Sequence, residues 1–402
     1  MSNKTNKKIT ADVFLREKYH LTHNPFKTEA CTDSKEYVER ENEIHSFETD
    51  LDLVKISECT GKRIIGRKGI GKTSLVNMLL EVARKRGLKT VYVPNIPNSG
   101  RKFMQSLLSA TVRATEETSS KECSKYIIVK AVEETSSKEY SKYIHNTNIY
   151  PESIFEKWAE IIDEMQPKPV IVALDETENL LKIPHIMPLF NTYIPTHANN
   201  VMFLLCCLPS THEKLKDTAF IDRFPIVIRL RSFTNEELIC LLRKRLSAAR
   251  TKSVPDPCYP FTKKAVERLL DHAGGVPRYL LDIAFKAINM GVKSSAERIN
   301  EQIINQAAIH AERGYIIGVW DSLNTSEKQT LIEIVDIGGE VKLDDITTRI
   351  KKDKSWVWDC VNELVERGLV EKMGEAKKDV TYKLITDPKL IMDLKNKEGK
   401  NT

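Results

Sequence analysis

The chain has 402 residues, 41% of them hydrophobic and 29% charged, with a formal net charge of +6. That length exceeds the size at which one hydrophobic core stops growing, so two or three domains are expected, and the composition excludes disordered, collagen-like and membrane-embedded classes. The longest apolar runs, Pro169–Leu174 and Val201–Leu208, fall far short of the roughly 20 residues that span a bilayer. The lysine-rich Met1–Thr10 leads into no apolar signal core. Eight cysteines form no C-x-x-C pattern, which suits reduced, mostly buried thiols. The expected location is the cytoplasm, and the mildly basic balance permits nucleic-acid binding without establishing it.

In chain order, Lys62–Ile65 reads as a short strand, followed by a glycine-rich turn and then by Ser74, Leu75, Met78, Leu79 and Val82 at helical spacing. Further strands are predicted at Thr90–Val93, Val170–Leu174, Val201–Leu208 and Ile226–Leu230. Their apolar character and their alternation with helical stretches predict a parallel sheet flanked by helices. Between the second and third strands, Glu116–Ile127 recurs as Glu133–Ile144. A single duplication cannot form a solenoid, so it reads as a lengthened surface helix or loop.

From Thr234 onward only helices are expected for a stretch. Thr234 and Glu237 form a capping box, Thr262 caps a second helix and a third begins near Pro277. This is a small all-α lid. Helices at Thr325–Asp336, after Leu343, and at Ser355–Arg367 are then followed by strands Leu369–Glu371 and Val380–Ile385, the order of a winged helix. The implied divisions are a flexible 1–23, a nucleotide-binding domain 24–232, a lid 233–314, a winged helix 315–390 and a flexible tail 391–402.

The chemistry is carried by Gly66-Arg-Lys68-Gly69-Ile70-Gly71-Lys72-Thr73, which matches G-x-x-x-x-G-K-[ST] between a strand and a helix. Such a loop turns backbone N–H groups inward around phosphates, with the helix N-terminus adding positive charge. Gly66, Lys68, Gly69, Ile70, Gly71, Lys72, Thr73 and Ser74 are the candidate ATP-binding residues. Lys72 would reach the β- and γ-phosphates, and Thr73 would ligate Mg2+. The strand Val170–Leu174 ends in Asp175-Glu176. Taken alone, an Asp-Glu pair suits helix capping. After a P-loop it fits a magnesium-holding Asp175 and a Glu176 that polarises the attacking water.

With the P-loop, the Asp175-Glu176 strand end and Gly274-Gly-Val-Pro-Arg278 in view, the sequence resembles the AAA+ ATPases, and among them the archaeal origin-recognition and replication-initiator ATPases, from about Asn24 to Pro388. The resemblance implies that Arg278, in the sensor-2 place, touches the γ-phosphate and couples it to the lid. It implies that Arg223 is an arginine finger reaching a neighbouring subunit's nucleotide, and hence self-association through that face. Ser210 is the nearest polar residue to the sensor-1 place, where this sequence departs from the family by carrying Cys207-Leu208-Pro209. Asn24-Pro-Phe26 and Tyr37-Val-Glu-Arg40 resemble the segment that packs by the adenine, in wording closer to transposition-regulator and signal-transducing ATPases.

For the winged helix, Lys351, Lys352, Lys354, Ser355 and Trp356 at the start of its third helix, with Lys377 and Lys378 at the wing tip, are the candidate duplex-DNA contacts. Between Val341 and Lys383 ten basic residues stand against nine acidic ones, so clustering rather than net charge must act. Trp356 and Trp358 leave a second reading open, in which this module docks a protein partner such as a transposase or nuclease.

Overall fold

Five segments of one compact unit, residues 29–232, form a sheet of parallel strands in the order β2-β3-β4-β1-β5. They are β1 (Lys62–Ile65), β2 (Lys89–Val93), β3 (Val170–Leu174), β4 (Val201–Cys207) and β5 (Ile226–Arg229). The structure, a computed structural model, describes residues 10–31, 37–54, 61–116, 143–146, 148–165, 170–197, 201–216, 218–374 and 380–398. Residues 117–142 of the duplicated segment, and Lys377 and Lys378, lie outside the described residues.

The fully apolar β3 explains itself through the sheet's two faces. Val170, Val172 and Leu174 enter one core with Phe103, Trp158 and Phe190, while Ile171 and Ala173 enter the other with Leu75, Leu79 and Ile64. Both faces of a central parallel strand are covered, so no polar alternation survives. Helices α1 (Glu41–Val54) and α2 (Lys72–Lys85) supply the second core, and α3 (Gly100–Glu116), α4 (Pro151–Glu164) and α5 (Met187–His197) the first. A short α6 (Pro209–Leu215) follows β4. Trp158 is fully buried and donates its indole N–H to Thr111 at 3.0 Å, which satisfies the polar edge of the largest core side chain.

The second unit comprises residues 1–28 and 233–402. Its helices are α7 (Asn235–Ala248), α8 (Lys263–Ala273), α9 (Pro277–Lys293) and α10 (Glu301–Ser322). The capping box expected at Thr234 and Glu237 is present, with reciprocal bonds of 3.3 and 2.8 Å, and Thr262 accepts from the Ala265 N–H at 3.2 Å.

Beyond them lie α11 (Thr325–Ile337), β6 (Glu340–Lys342), α12 (Leu343–Ile350), α13 (Lys354–Glu366), β7 (Val370–Met373), β8 (Thr381–Leu384) and α14 (Pro388–Glu398). The strands form an antiparallel sheet in the order β6-β8-β7. Three helices with a closing hairpin give the winged-helix order, and β6 is a strand too short to stand out in the sequence.

Two termini expected to be flexible are partly packed. Residues 11–19 are helical, Tyr19 is fully buried, and its hydroxyl donates to the Ala296 carbonyl at 2.7 Å. In the tail, Leu390, Ile391 and Leu394 place an apolar stripe of α14 into the core of the winged helix. Their i, i+1, i+4 spacing makes one helical face, and Pro388 opens it at a position that needs no N–H donor. Among the described residues no helix is long and apolar enough to cross a membrane.

Candidate nucleotide and nucleic-acid sites

The glycine-rich turn leaves β1 at Ile65 and enters α2 at Lys72. Gly69 and Gly71 have φ of 80° and 101°, the left-handed region that glycine enters without a Cβ penalty. At Gly66 the constraint is space instead, since a Cβ would stand 2.7 Å from Ile70 Cγ2. Lys72 turns its ammonium onto the loop itself, donating to the carbonyls of Gly66 at 2.8 Å and Arg67 at 3.2 Å. Burial holds the Lys72 ammonium below the usual lysine range, with Glu178 the leading acidic neighbour opposing that shift. A half-buried ammonium bonded only to neutral carbonyls is a receptor for anionic oxygen.

The remaining P-loop residues divide between backbone and side-chain duties. Ile70 is buried as a strut beneath the loop, and Lys68 is exposed. Arg67 is held by Ser232 at 2.6 Å. Ser74 has a structural partner, since its hydroxyl accepts from the Cys31 N–H at 3.0 Å and Asn77 donates to the Cys31 carbonyl at 3.1 Å. The preceding segment is thereby fastened to the first turns of α2.

Thr73 and Asp175 meet directly, the hydroxyl donating to Asp175 Oδ2 at 2.6 Å. Tyr92, at the end of β2, donates to the same oxygen at 3.2 Å. Asp175 is 1% exposed yet makes no ion pair among the described residues. Its other oxygen, Oδ1, accepts from the Glu176 N–H at 2.9 Å. A buried carboxylate served by two hydroxyls and one N–H, facing the ammonium of Lys72 electrostatically, is the donor set that suits a Mg2+ sharing its shell with phosphates and water. Glu176, the next residue, is exposed and left-handed at φ 47° and ψ 56°. This sparsely populated conformation lifts its carboxylate away from the strand end.

Sequence patterns did not single out Glu178 or Tyr92. Glu178 is pushed above the ordinary glutamate range by burial, against the hydrogen bonds of its own and the Leu208 N–H and the attraction of Lys72. Burial and the Asp175 carboxylate push Tyr92 up strongly, so it stays a neutral donor. Thr177 donates to the Cys206 carbonyl at 2.8 Å, tying the ends of β3 and β4 together beneath these groups.

The residues expected as sensors and arginine finger divide between the two units. Ser210 lies in the first turn of α6 with a buried hydroxyl lacking any protein partner. Arg223 ends a 3-10 turn just before β5, and its Nε is likewise buried without a partner. Arg278 is exposed at the second position of α9, after the left-handed Gly274 and Gly275, and belongs to the other compact unit. Asn24 of the Asn-Pro-Phe segment donates to the Phe285 carbonyl at 2.9 Å and Asn289 at 3.0 Å, while Phe26 packs edge-on against Phe261. Arg40, in the sheet unit, has φ 76° and donates to the Arg231 carbonyl at 2.6 Å.

On the winged helix, Lys351, Lys352, Lys354 and Ser355 are exposed where α12 gives way to α13. Lys354 pairs with Asp344 at 2.5 Å, and Lys352 lies 6.0 Å over the Trp356 ring. Trp356 itself is half-buried against the module's core, whereas Trp358 is 46% exposed. Of the two tryptophans, the outward-facing one is therefore Trp358, on a face shared with Ser355 and Asp359.

No protein-family model matches the chain. In sequence it is similar to an uncharacterised HTH-type transcriptional regulator of Methanocaldococcus jannaschii, 22% identical over 384 residues that make up 91% of each chain. In structure it is similar to the Aeropyrum pernix ORC1 protein solved in complex with DNA, with a TM-score of 0.60 at 18% identity over 89% of this chain and 92% of that one. It is also similar to the Aeropyrum pernix ORC2 protein solved as ADPNP-ADP complexes, with a TM-score of 0.58 at 18% identity over 91% and 96% of the two chains. The expected resemblance thus holds at the level of the fold: over nearly its whole length the chain follows the AAA+ architecture of these archaeal origin-recognition proteins.

Proposed function

We propose that this protein is an ATP-binding and ATP-hydrolysing switch that engages duplex DNA through its winged helix, in the manner of a replication initiator. The observation that carries the reading is the convergence of Lys72, Thr73 and Asp175 at the strand ends, with a 2.6 Å Thr73–Asp175 bond and a lysine held ready on the loop carbonyls. Bound nucleotide would exchange those carbonyls for phosphate oxygens at Lys72, with the N–H groups from Gly66 to Ser74 supplying the cradle. Mg2+ would be held by Thr73 and Asp175, supplying charge neutralisation for phosphoryl transfer. Glu176 orients water, and Ser210, Arg223 and Arg278 are assigned the sensor-1, trans-acting finger and sensor-2 roles. DNA backbone contact is assigned to Lys351, Lys352, Lys354 and Ser355, together with Lys377 and Lys378. Trp356, expected beside them, serves the module's core and lends its ring to Lys352.

The fold likeness to ORC1 bound to DNA and to ORC2 with nucleotide supports both halves of this reading. A second reading, a regulatory ATPase whose winged helix docks a protein, is favoured by one feature: the outward face of α13 presents Trp358 beside Asp359 rather than a run of free lysines. Nucleotide binding and turnover test the common core of both. Lys72→Ala is expected to weaken ATP binding by about 10- to 100-fold, the size of a lost charge-assisted bond. Glu176→Gln should bind normally and lose turnover. Equal turnover in the wild type and both variants would remove the site assignment.

A further inference from the structure

Lys62 and Arg63 are neighbours on β1 that point to opposite faces, and they are treated differently. Lys62 is 1% exposed and is matched by Asp50 at 2.5 Å. Arg63 makes no hydrogen bond or ion pair among the described residues, and its Nε is buried. One strand over, Arg63 is in register with Val227 and Ile65 with Arg229, so Arg63 and Arg229 share a face, with Cα atoms roughly 8 Å apart from strand spacing and rise. Arg229 also lacks a carboxylate partner. Its guanidinium lies 3.4 Å from His212 Nε2 on α6.

His212 is 2% exposed, and its Nδ1 is buried with no partner. Burial, Arg63 and Arg229 all hold its imidazole below the ordinary histidine range. In the neutral ring, Nε2 accepts from Arg229, which leaves the proton on the buried Nδ1. The acids nearby do not close the set. Asp222 acts on Arg63 without an ion pair, and Glu213 is engaged by Lys216 at 2.6 Å.

Two like charges flank the buried imidazole, Arg63 partly buried and Arg229 exposed at the sheet edge. The Arg63 Nε and the His212 Nδ1 are buried donors without a protein partner, an arrangement that folding alone disfavours. Guanidinium forks match the oxygens of phosphate better than any other common anion. We infer that the β1–β5 edge carries an oxyanion site, formed by Arg63 and Arg229 and backed by His212, for a phosphate-class anion. It is distinct from the P-loop, whose phosphate-facing groups are Lys72 and the loop N–H groups. The anion's source is either free phosphate or pyrophosphate, or the polyphosphate tail of a nucleotide presented by a second copy of the chain.

The test is a calorimetric titration with pyrophosphate of full-length protein carrying Lys72→Ala, which silences the P-loop lysine and keeps the result independent of the nucleotide reading. Saturable, salt-weakened binding is expected, reduced at least tenfold when Arg63→Gln and Arg229→Gln are added. The added substitutions should leave the melting temperature unchanged or raise it, because they remove uncompensated charge. Should the combined variant fail to fold, Arg229→Gln alone, at the exposed sheet edge, is expected to weaken binding severalfold. Absence of saturable binding, or equal affinity with and without the arginines, would overturn the site. Light scattering of otherwise wild-type chains with ATP-Mg2+ separates the sources. Association lost with the two arginines identifies a neighbour's nucleotide, and an unchanged monomer identifies the free anion.

Discussion

At the scale of single residues, the proposed nucleotide site is governed by a few electrostatic balances. Lys72 is drawn down by burial and supported by Glu178, whose own carboxyl is drawn up by burial. A nucleotide's phosphates arriving beside Glu178 would raise that group further, so binding takes up a proton there. Its sign follows from linkage: nucleotide affinity rises as pH falls toward the elevated Glu178 range. Glu178→Gln is expected to tighten binding at neutral pH and to flatten this dependence, as read from nucleotide affinity at neutral and mildly acidic pH. An unchanged pH slope in the variant would place Glu178 outside the site. Lys72, Thr73 and Asp175 were legible in the sequence as candidates because each belongs to a spacing that few other structures need. Glu178 and Tyr92 were not legible, since their roles depend on how β2, β3 and the following turn converge in space. Ser74 has the right position in the motif, but its hydroxyl is committed to Cys31.

At the scale of elements, strands and helices were legible where one pattern dominated. The five sheet strands stand within a residue or so of their expected bounds, most plainly β3 and β4, where burial on both faces leaves an unbroken apolar run. The capping box at Thr234 was legible for a local reason, and it has a measurable consequence. Thr234→Ala removes the acceptor of the Glu237 N–H and should cost about 1 kcal/mol of stability in a denaturant titration, with little change in nucleotide affinity. The two tryptophans of α13 were not separable in the same way. A helix rotates about 100° per residue, so Trp356 and Trp358 face well apart, and the phase is set by Val357, Cys360, Val361 and Leu364 pointing inward. On the same module, Lys351 and Lys352 are exposed and form no ion pair among the described residues, whereas Lys354 is matched by Asp344. Replacing Lys351 and Lys352 by alanine should reduce the salt slope of DNA affinity by about 1 per lysine. Lys354→Ala should reduce it less. An unchanged slope would move the DNA contact elsewhere.

At the scale of the whole molecule, the chain joins a P-loop sheet unit to a second unit that carries the helical segment and the winged helix. That division explains why residues 10–23, expected to be flexible, are packed, and why residues 24–28, expected in the nucleotide-binding domain, group with the helical unit instead. Their side chains complete the helical unit, the Tyr19 hydroxyl donating to the Ala296 carbonyl, the Asn24 amide to the Phe285 carbonyl, and Phe26 packing on Phe261. Partners so distant along the chain leave no local signature. Under the proposed function, nucleotide binding falls to one unit and DNA contact to the other, so the central claim is that ATP at Lys72 controls DNA affinity at the winged helix. The most direct measurement is fluorescence anisotropy of a labelled duplex titrated with wild-type and Lys72→Ala protein, with and without ATP-Mg2+, at low and moderate salt. The account predicts salt-sensitive binding that ATP strengthens in the wild type and leaves unchanged in Lys72→Ala. Absence of binding under every condition, or binding indifferent to both ATP and salt, would contradict it.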